Sequence, residues 1–228
     1  MSGRIAVLST LALKGVLDRF RPELEQSLGA TLDARFDATQ AIVKLLESGA
    51  AESRCDVLIL TAEAMQPLEK AGHVKAIQLL GSSGVGVAVR AGAPKPGIGS
   101  LEAFKRAMQE ASSVAHSKVG ASGLYFAGLI DSVPLQLKRR VVVEKGPVGR
   151  VVASGEAEIG IQQLCELAPV PGIDIVGPLP APIQRVTHFA AGISAGAANA
   201  KGAAALIAQL RSPRIRAGMA QGGIEPAS

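Results

Sequence analysis

The chain has 228 residues, of which 48% are hydrophobic and 3% aromatic, and it carries a net charge of +5. This length allows a large core, in one α/β domain or in two lobes, and the shortage of aromatic side chains favours a parallel sheet filled with aliphatic residues. The positive charge favours anionic partners but not nucleic acid, because the densest basic run, Lys138-Arg139-Arg140, has no aromatic neighbours on which bases could stack.

The chain begins with three strand–helix units. Buried strands are predicted at 5–8, 31–36 and 56–60, and Asp37-Ala38-Thr39-Gln40 has the form of a capping box at the start of the second helix. Successive units of this kind imply a parallel sheet with right-handed crossovers, so the polar turns after the strands lie at one edge of that sheet. Those turns contain four hydroxyl side chains that are candidate ligand contacts as well as candidate helix caps: Ser9, Thr10, Thr39 and Thr61.

Two further segments have the pattern of strands that cross between lobes. Residues 85–90 are followed by a Pro- and Gly-rich turn and indicate a strand that leaves the first lobe, and residues 186–193 indicate a strand that returns to it. We therefore predict lobe I at 1–83 and 190–228 and lobe II at 84–189, with two hinge strands and a ligand cleft between the lobes. The predicted fold class is α/β, with mainly parallel sheets and helices on both faces.

Lobe II contains two strands that each run directly into a helix start rich in Gly and Ser. These strands are predicted at 114–117 and 141–145. Helix starts expose unpaired backbone N–H groups at the positive end of the helix dipole, so two of them at neighbouring strand ends predict a pocket for a small anion. The candidate ligand contacts at these two starts are Ser117, Lys118, Ser122, Gly123, Val148 and Gly149.

Five polar side chains near these strand ends have more than one interpretation. His116, the candidate catalytic residue, can act as an acid or base near neutral pH, or it can be a buried side chain with satisfied hydrogen bonds. Lys118 can balance a carboxylate or remain a solvated surface group, and Glu144 can be a base or belong to a surface ion pair. Gln162 and Gln163 alternate along a strand, so only one of them faces the ligand, and Gln162 is taken as the candidate contact.

No metal or cofactor site is expected. The histidines are scattered, and Cys55 and Cys165 have neither zinc nor redox spacing, so they are expected as buried free thiols. No apolar run is long enough for membrane insertion. Residues 1–4 lead directly into the first strand without a secretory signal, which predicts a cytoplasmic protein as the sequence is written, or a periplasmic one if a leader was trimmed. We expect a monomer or a weak dimer.

The order and spacing of several motifs are typical of one protein family. These motifs are the strand ending in Ser9-Thr10 and the segments 55–60, 85–94, 117–125 and 155–160. With them, nearly the whole chain resembles the type II periplasmic solute-binding proteins, in their molybdate-binding-like branch. The segments 147–156, 161–167 and 171–177 are similar to a sub-branch that includes aconitate isomerase. The resemblance implies a two-lobed, type II periplasmic-binding-protein fold with a small anion as its partner.

This resemblance leaves several functions open. The first is capture of a small anion, such as a di- or tricarboxylate, without chemistry. The second is an aconitate isomerase-like enzyme that interconverts cis- and trans-aconitate by shifting a proton, with His116, Glu144 or a serine as the base. The third is a molybdate- or oxyanion-binding component of an ABC transporter. Molybdate binders tend to carry a Val-Tyr pair where this chain has Gln162-Gln163, and an amide pair suits a carboxylate with further polar groups. A sensing domain of a transcription regulator ranks last, because no helix-turn-helix segment is recognised.

Overall fold

Strands and helices alternate along most of the chain. The computed structural model describes residues 3–227. In chain order its first elements are β1 (Gly3–Thr10), α1 (Lys14–Leu28), β2 (Ala30–Asp37), α2 (Thr39–Glu47), β3 (Val57–Thr61), α3 (Ala62–Lys70) and the long strand β4 (Val74–Arg90). These are followed by α4 (Leu101–Glu110), β5 (Val114–Ser117), α5 (Ala121–Ser132), β6 (Arg140–Val143), α6 (Val148–Ala153), β7 (Ile159–Gln163), α7 (Leu164–Leu167), β8 (Ile173–Pro178), β9 (Val186–Ser194), α8 (Ala200–Leu210), α9 (Pro213–Gln221) and β10 (Glu225–Pro226).

The described residues form two compact units. Unit 1 comprises residues 3–82 and 187–227, and unit 2 comprises Ser83–Val186. The chain passes from one unit to the other within β4 and again at the first residue of β9. Each unit has its own sheet and its own core.

In unit 1 the strand order is β2-β1-β3-β9-β4, with β10 paired to β4. β1 runs parallel to both β2 and β3, so that Ser9 lies beside Phe36 on one side and Ile59 on the other. The middle residues of the central strands, such as Val7 and Leu58, are completely buried because helices shield them from solvent. The parallel pairing confirms the predicted strand–helix units and places the carboxyl ends of β1, β2 and β3 at one edge of the sheet.

In unit 2 the strand order is β8-β4-β7-β5-β6. β5 is parallel to both β6 and β7, and β4 is antiparallel to β7. Phe104 of α4 and Phe126 of α5 pack with Val114 on one face of the sheet, whereas Val148 of α6 packs with Ala115 on the other face. Because successive side chains of a strand point to opposite faces, these contacts show that helices cover both sides of the sheet, as predicted.

Helix caps agree with the sequence where the capping residue has a short polar side chain. Ser100 Oγ accepts a hydrogen bond from the Ala103 N–H at 3.1 Å, and Asn199 Oδ1 caps α8 in the same way. The capping box predicted at Asp37 is wrong. The cap residue of α2 is Ala38, which has no polar side chain, and Asp37 Oδ1 instead accepts from the adjacent Ala38 N–H at 2.7 Å.

The strand β4 is longer than the sequence predicted. It begins at Val74 rather than near Val85. The sequence does not predict its first half, because successive exposed positions there, such as Gln78 and Leu79, lack the regular alternation of a half-buried strand. Both cysteines are buried free thiols, as expected. Among the helices of the described residues, none is long and apolar enough to cross a membrane.

Candidate functional site

The carboxyl ends of three parallel strands meet at one edge of unit 2. β5 ends at Ser117, β6 at Val143 and β7 at Gln163, and Ser117 lies directly beside Val143 in the register. His116 lies beside Ile161, so β7 continues past the end of β5 at the same edge. We call this the carboxyl edge of unit 2. It contains most of the residues that the sequence predicted for the anion site.

The helix α5 begins in close contact with the end of β5. Ser117 Oγ accepts a hydrogen bond from the Gly120 N–H at 2.9 Å. A Cβ atom at Gly123 would lie only 2.0 Å from the Ser117 carbonyl oxygen, so this position requires glycine. Ser122 lies in the same first turn and is 4% exposed. The first N–H groups of an α-helix have no partner within the helix, so α5 presents amide donors at the carboxyl edge.

The start of α6 already has a protein acceptor. The Val148 N–H donates to Gln162 Oε1 at 2.8 Å. Gly149 is explained by packing, because a Cβ atom there would lie 2.9 Å from Ile173 and 3.1 Å from Val170. The amide of Gln162 is also occupied on its donor side, since Nε2 donates to Glu166. Val148, Gly149 and Gln162 therefore hold α6 against the sheet, a structural role for three of the predicted ligand contacts.

Glu166 carries a further carboxyl group at this edge, and it is not among the site residues predicted from the sequence. It lies on the short helix α7, directly after β7, and it is partly buried. Burial raises the pKa of this carboxyl to about 7, against the opposing effect of the hydrogen bond from Gln162. The signal available in the sequence was one acidic residue within an otherwise apolar segment, 164–168.

The side chain of Gln163 is buried with an unpaired donor. The residue is 3% exposed, and its Nε2 atom has no hydrogen-bond partner among the described residues. Alternation along β7 puts Gln163 on the same face as Ile161, the face that packs against α5. A buried N–H group without an acceptor is rare in folded proteins, and it calls for an explanation.

The ring of His116 has protein partners on both nitrogens. The residue is 1% exposed, Nδ1 lies 2.9 Å from the Ser117 carbonyl oxygen, and Arg140 Nε donates to Nε2 at 2.6 Å. This arrangement is that of a neutral imidazole with its proton on Nδ1. Burial lowers the pKa of His116, and the positive charge of Arg140 lowers it further. The geometry favours the structural interpretation of His116 over the catalytic one.

Lys118 and Glu144 form an ion pair at the surface. Lys118 Nζ lies 2.9 Å from both carboxylate oxygens of Glu144, and the two side chains are 55% and 67% exposed. Pairing of the two charges leaves Lys118 a weaker counter-charge for a ligand than the sequence suggested. It also makes Glu144 an ordinary surface carboxylate rather than a base in a protected site.

The hydroxyl residues of unit 1 lie at the carboxyl edge of its own parallel strands. Ser9 is completely buried, and its Oγ donates to the Thr10 carbonyl oxygen at 2.9 Å. Thr61 caps α3 by accepting from the Ala64 N–H at 3.3 Å, and Thr39 is the first residue of α2. These contacts show capping and turn-forming roles for Ser9 and Thr61. Within residues 3–227 no group of three His, Cys, Asp or Glu residues is arranged to hold a metal ion.

Comparison with known proteins gives consistent matches over nearly the full chain. Residues 5–225 match the family model of the bacterial extracellular solute-binding proteins. The chain is 34% identical to an aconitate isomerase from a Pseudomonas species, over 97% of this chain and 87% of that protein. Among solved structures it is similar to the periplasmic molybdate-binding protein of Azotobacter vinelandii (TM-score 0.75, 19% identity, 96% and 98% of the two chains covered). It is also similar to a sulfate-binding protein of Mycobacterium tuberculosis (TM-score 0.72, 18% identity, 99% and 88% covered).

Proposed function

The chain belongs to the bacterial extracellular solute-binding proteins and has the type II periplasmic-binding fold, and from this premise we propose that it binds a small di- or tricarboxylate at the carboxyl edge of unit 2. The ligand is held by the first backbone amides of α5 and by the side chain of Gln163. A carboxylate is the natural partner of such a set of donors, because helix starts combine unpaired N–H groups with the positive end of the dipole.

The unpaired amide of Gln163 is the single observation that carries this proposal. A buried donor without an acceptor reduces the free energy of unfolding by about 1–3 kcal/mol, so a ligand that supplies the acceptor recovers that energy on binding. Gln163 Nε2 is such a donor, and it lies at a strand end on the face covered by α5. Ser122 and Gly123 lie in the first turn of α5, and the proposal includes their backbone amides in the site.

Two considerations favour a carboxylate over a tetrahedral oxyanion. A glutamine amide both donates and accepts, which suits a ligand that carries carboxylates together with other polar groups. The curated relative described above is named for its action on aconitate, a tricarboxylate. The molybdate- and sulfate-binding proteins share the fold at identities too low to transfer their ligands.

A thermal-shift panel tests the proposed ligand class. Citrate, succinate and cis- and trans-aconitate are compared with molybdate, tungstate and sulfate, since a ligand that binds only the native state raises the melting temperature. We expect tricarboxylates to give the largest shift, and Gln163→Met to reduce it while the exposed control Gln136→Ala does not. If molybdate or tungstate gives the largest shift, oxyanion binding for transport replaces this proposal.

A second candidate function is the isomerisation of cis- and trans-aconitate. It is favoured by the similarity to the Pseudomonas aconitate isomerase, which extends over nearly the whole chain. The reaction moves one proton between two carbons of the substrate, and amide donors at the start of α5 stabilise the negative charge that develops on the substrate carboxylate. It requires a base but no cofactor.

Chromatography of cis- and trans-aconitate tests this second function directly. Purified protein is incubated with trans-aconitate at high enzyme concentration, and the formation of cis-aconitate is followed over time. We expect turnover that depends on protein concentration. Absence of turnover, together with a clear thermal shift by the same compound, would leave binding as the function and exclude the isomerase.

A further inference from the structure

We propose that Glu166 is the residue that transfers the proton in aconitate isomerisation and that Gln162 positions its carboxylate. This inference rests on the proposed isomerase function. It names the base that neither His116 nor Glu144 supplies, because both nitrogens of His116 have protein partners and Glu144 is paired with Lys118 at the surface.

Glu166 lies at the carboxyl edge of unit 2. It lies three residues beyond Gln163, on the helix α7 that follows β7 without a loop. Its backbone is therefore anchored at the carboxyl edge, where Gln163 has its unpaired donor. The side chain is only partly buried.

The orientation of the Gln162 amide is fixed by its two hydrogen bonds. Its Oε1 atom accepts from the Val148 N–H, so its Nε2 atom must be the group that faces Glu166. Rotating the amide by half a turn would set two donors, Nε2 and the Val148 N–H, against each other. Gln162 therefore donates to one carboxylate oxygen of Glu166 in a fixed direction. The other oxygen remains to accept a proton from the substrate.

The electrostatic surroundings of Glu166 suit proton transfer near neutral pH. Burial raises its pKa to about 7, which makes the carboxylate a stronger base than an exposed glutamate and the carboxylic acid a competent donor. The strands β7, β8 and β4 contact α7. β7 has no ionisable side chain, β8 carries Asp174, and the β4 residues at this contact, Ser83 and Gly86, are not ionisable. Asp174 accepts from the Gly92 N–H at 3.0 Å. The neighbouring thiol of Cys165 has its pKa raised to about 12 by burial and by Glu166, so it stays neutral.

The reaction step balances without any further reagent. The Glu166 carboxylate takes a proton from the substrate CH₂ group: the C–H bond breaks, an O–H bond forms, and the electron pair is delocalised over the three-carbon unit and the adjacent carboxylate. The same proton then passes from Glu166 to the carbon at the other end of that unit. The double bond forms in its new position, and the carboxylate is regenerated.

Glu166→Gln is the decisive variant, with Glu102→Gln as a matched control on an exposed side chain of α4. We expect Glu166→Gln to lose turnover by about 100-fold or more, while the thermal shift by trans-aconitate is retained. Glu166→Asp recovers part of the turnover, and the control behaves as wild type.

The pH profile separates positioning from a merely structural role. Wild-type kcat/KM rises as the pH passes through about 7, because the carboxylate is the active form. Gln162→Met removes the hydrogen bond that lowers the pKa of Glu166, so its profile moves to higher pH. If the wild type turns over and Glu166→Gln does so equally well, this inference is overturned and the isomerase function stands. If the wild type shows no turnover, both fail, whereas a thermal shift by tricarboxylates would still support the binding function.

Discussion

The side-chain amide of Gln162 donates a hydrogen bond to the carboxylate of Glu166. The direction of that bond is set by backbone, because the oxygen of the same amide is held by the first N–H of α6 at 2.8 Å. A partly buried carboxyl is thus joined, through one neutral amide, to the strand β7 and to the helix that packs on it. The pKa of Glu166 therefore depends on the fold, because burial raises it and the hydrogen bond from Gln162 lowers it.

The pH dependence of stability should change when Glu166 is replaced by glutamine. Burial raises the folded-state pKa from the ordinary value of 4.5 to about 7. A group with a raised folded-state pKa stabilises the protein fully below its unfolded pKa, and that contribution is lost as the pH rises through the folded-state pKa. Glu166→Gln should therefore melt at a higher temperature than the wild type at about pH 8, and the difference should shrink towards about pH 4. The comparison is made by thermal melts across that range, and a difference that does not vary with pH would contradict it.

Gln163→Met should make the ligand-free protein more stable and the ligand weaker. Methionine has nearly the same length and no N–H group, so it removes the unpaired buried donor. We expect a gain of about 1–3 kcal/mol in the free energy of unfolding, measured by urea titration. Calorimetry with trans-aconitate should show at least tenfold weaker binding. A loss of stability in this variant would mean that the amide has a protein partner in solution.

Gly123→Ala should disrupt the start of α5. The new Cβ atom would lie 2.0 Å from the Ser117 carbonyl oxygen, which belongs to backbone and cannot move aside. We expect destabilisation of about 1–3 kcal/mol or more, together with weaker ligand binding. Gly128→Ala is the matched control in the same helix, because its Cβ atom would meet nothing within 4 Å. That variant should be neutral or more stable by about 0.5–1 kcal/mol, and equal effects of the two substitutions would refute the steric explanation.

His116→Gln should reduce stability more than activity. The imidazole joins Arg140 to the Ser117 carbonyl oxygen and contacts the Phe126 ring edge-on at a centroid distance of 5.6 Å. Loss of these contacts leaves buried groups unpaired, which we expect to lower the free energy of unfolding by about 1–3 kcal/mol. The variant is assayed below its melting temperature for the turnover of aconitate. If stability is unchanged while turnover falls by two orders of magnitude or more, His116 is catalytic after all.

The sequence predicted well those features that depend on local pattern. The apolar strands, the parallel pairing of β1 with β2 and β3, and the caps at Ser100 and Asn199 follow from alternation and from short polar side chains at helix starts. The type II fold was identified through motif order, and the solved structures confirm it. The sequence pattern does not predict the first half of β4, because a strand that is paired with its neighbours needs no alternation of its own.

The site was less predictable, because its bonds join residues distant in sequence. The Val148 N–H and the Gln162 oxygen are 14 positions apart, and Arg140 and His116 are 24 apart. No periodicity reveals such pairs. The sequence therefore predicts Gln162 as a ligand contact and shows Glu166 only as one acidic residue in an apolar segment. The unpaired amide of Gln163 emerges only when every partner of a buried side chain has been accounted for.

A crystal structure of the chain with trans-aconitate tests the central claim most directly. The proposal predicts a substrate carboxylate oxygen within about 3.2 Å of Gln163 Nε2 and of the first amides of α5. A second carboxylate or its neighbouring carbon should face Glu166. A ligand bound away from these groups, with Gln163 Nε2 paired to another protein atom, would contradict it.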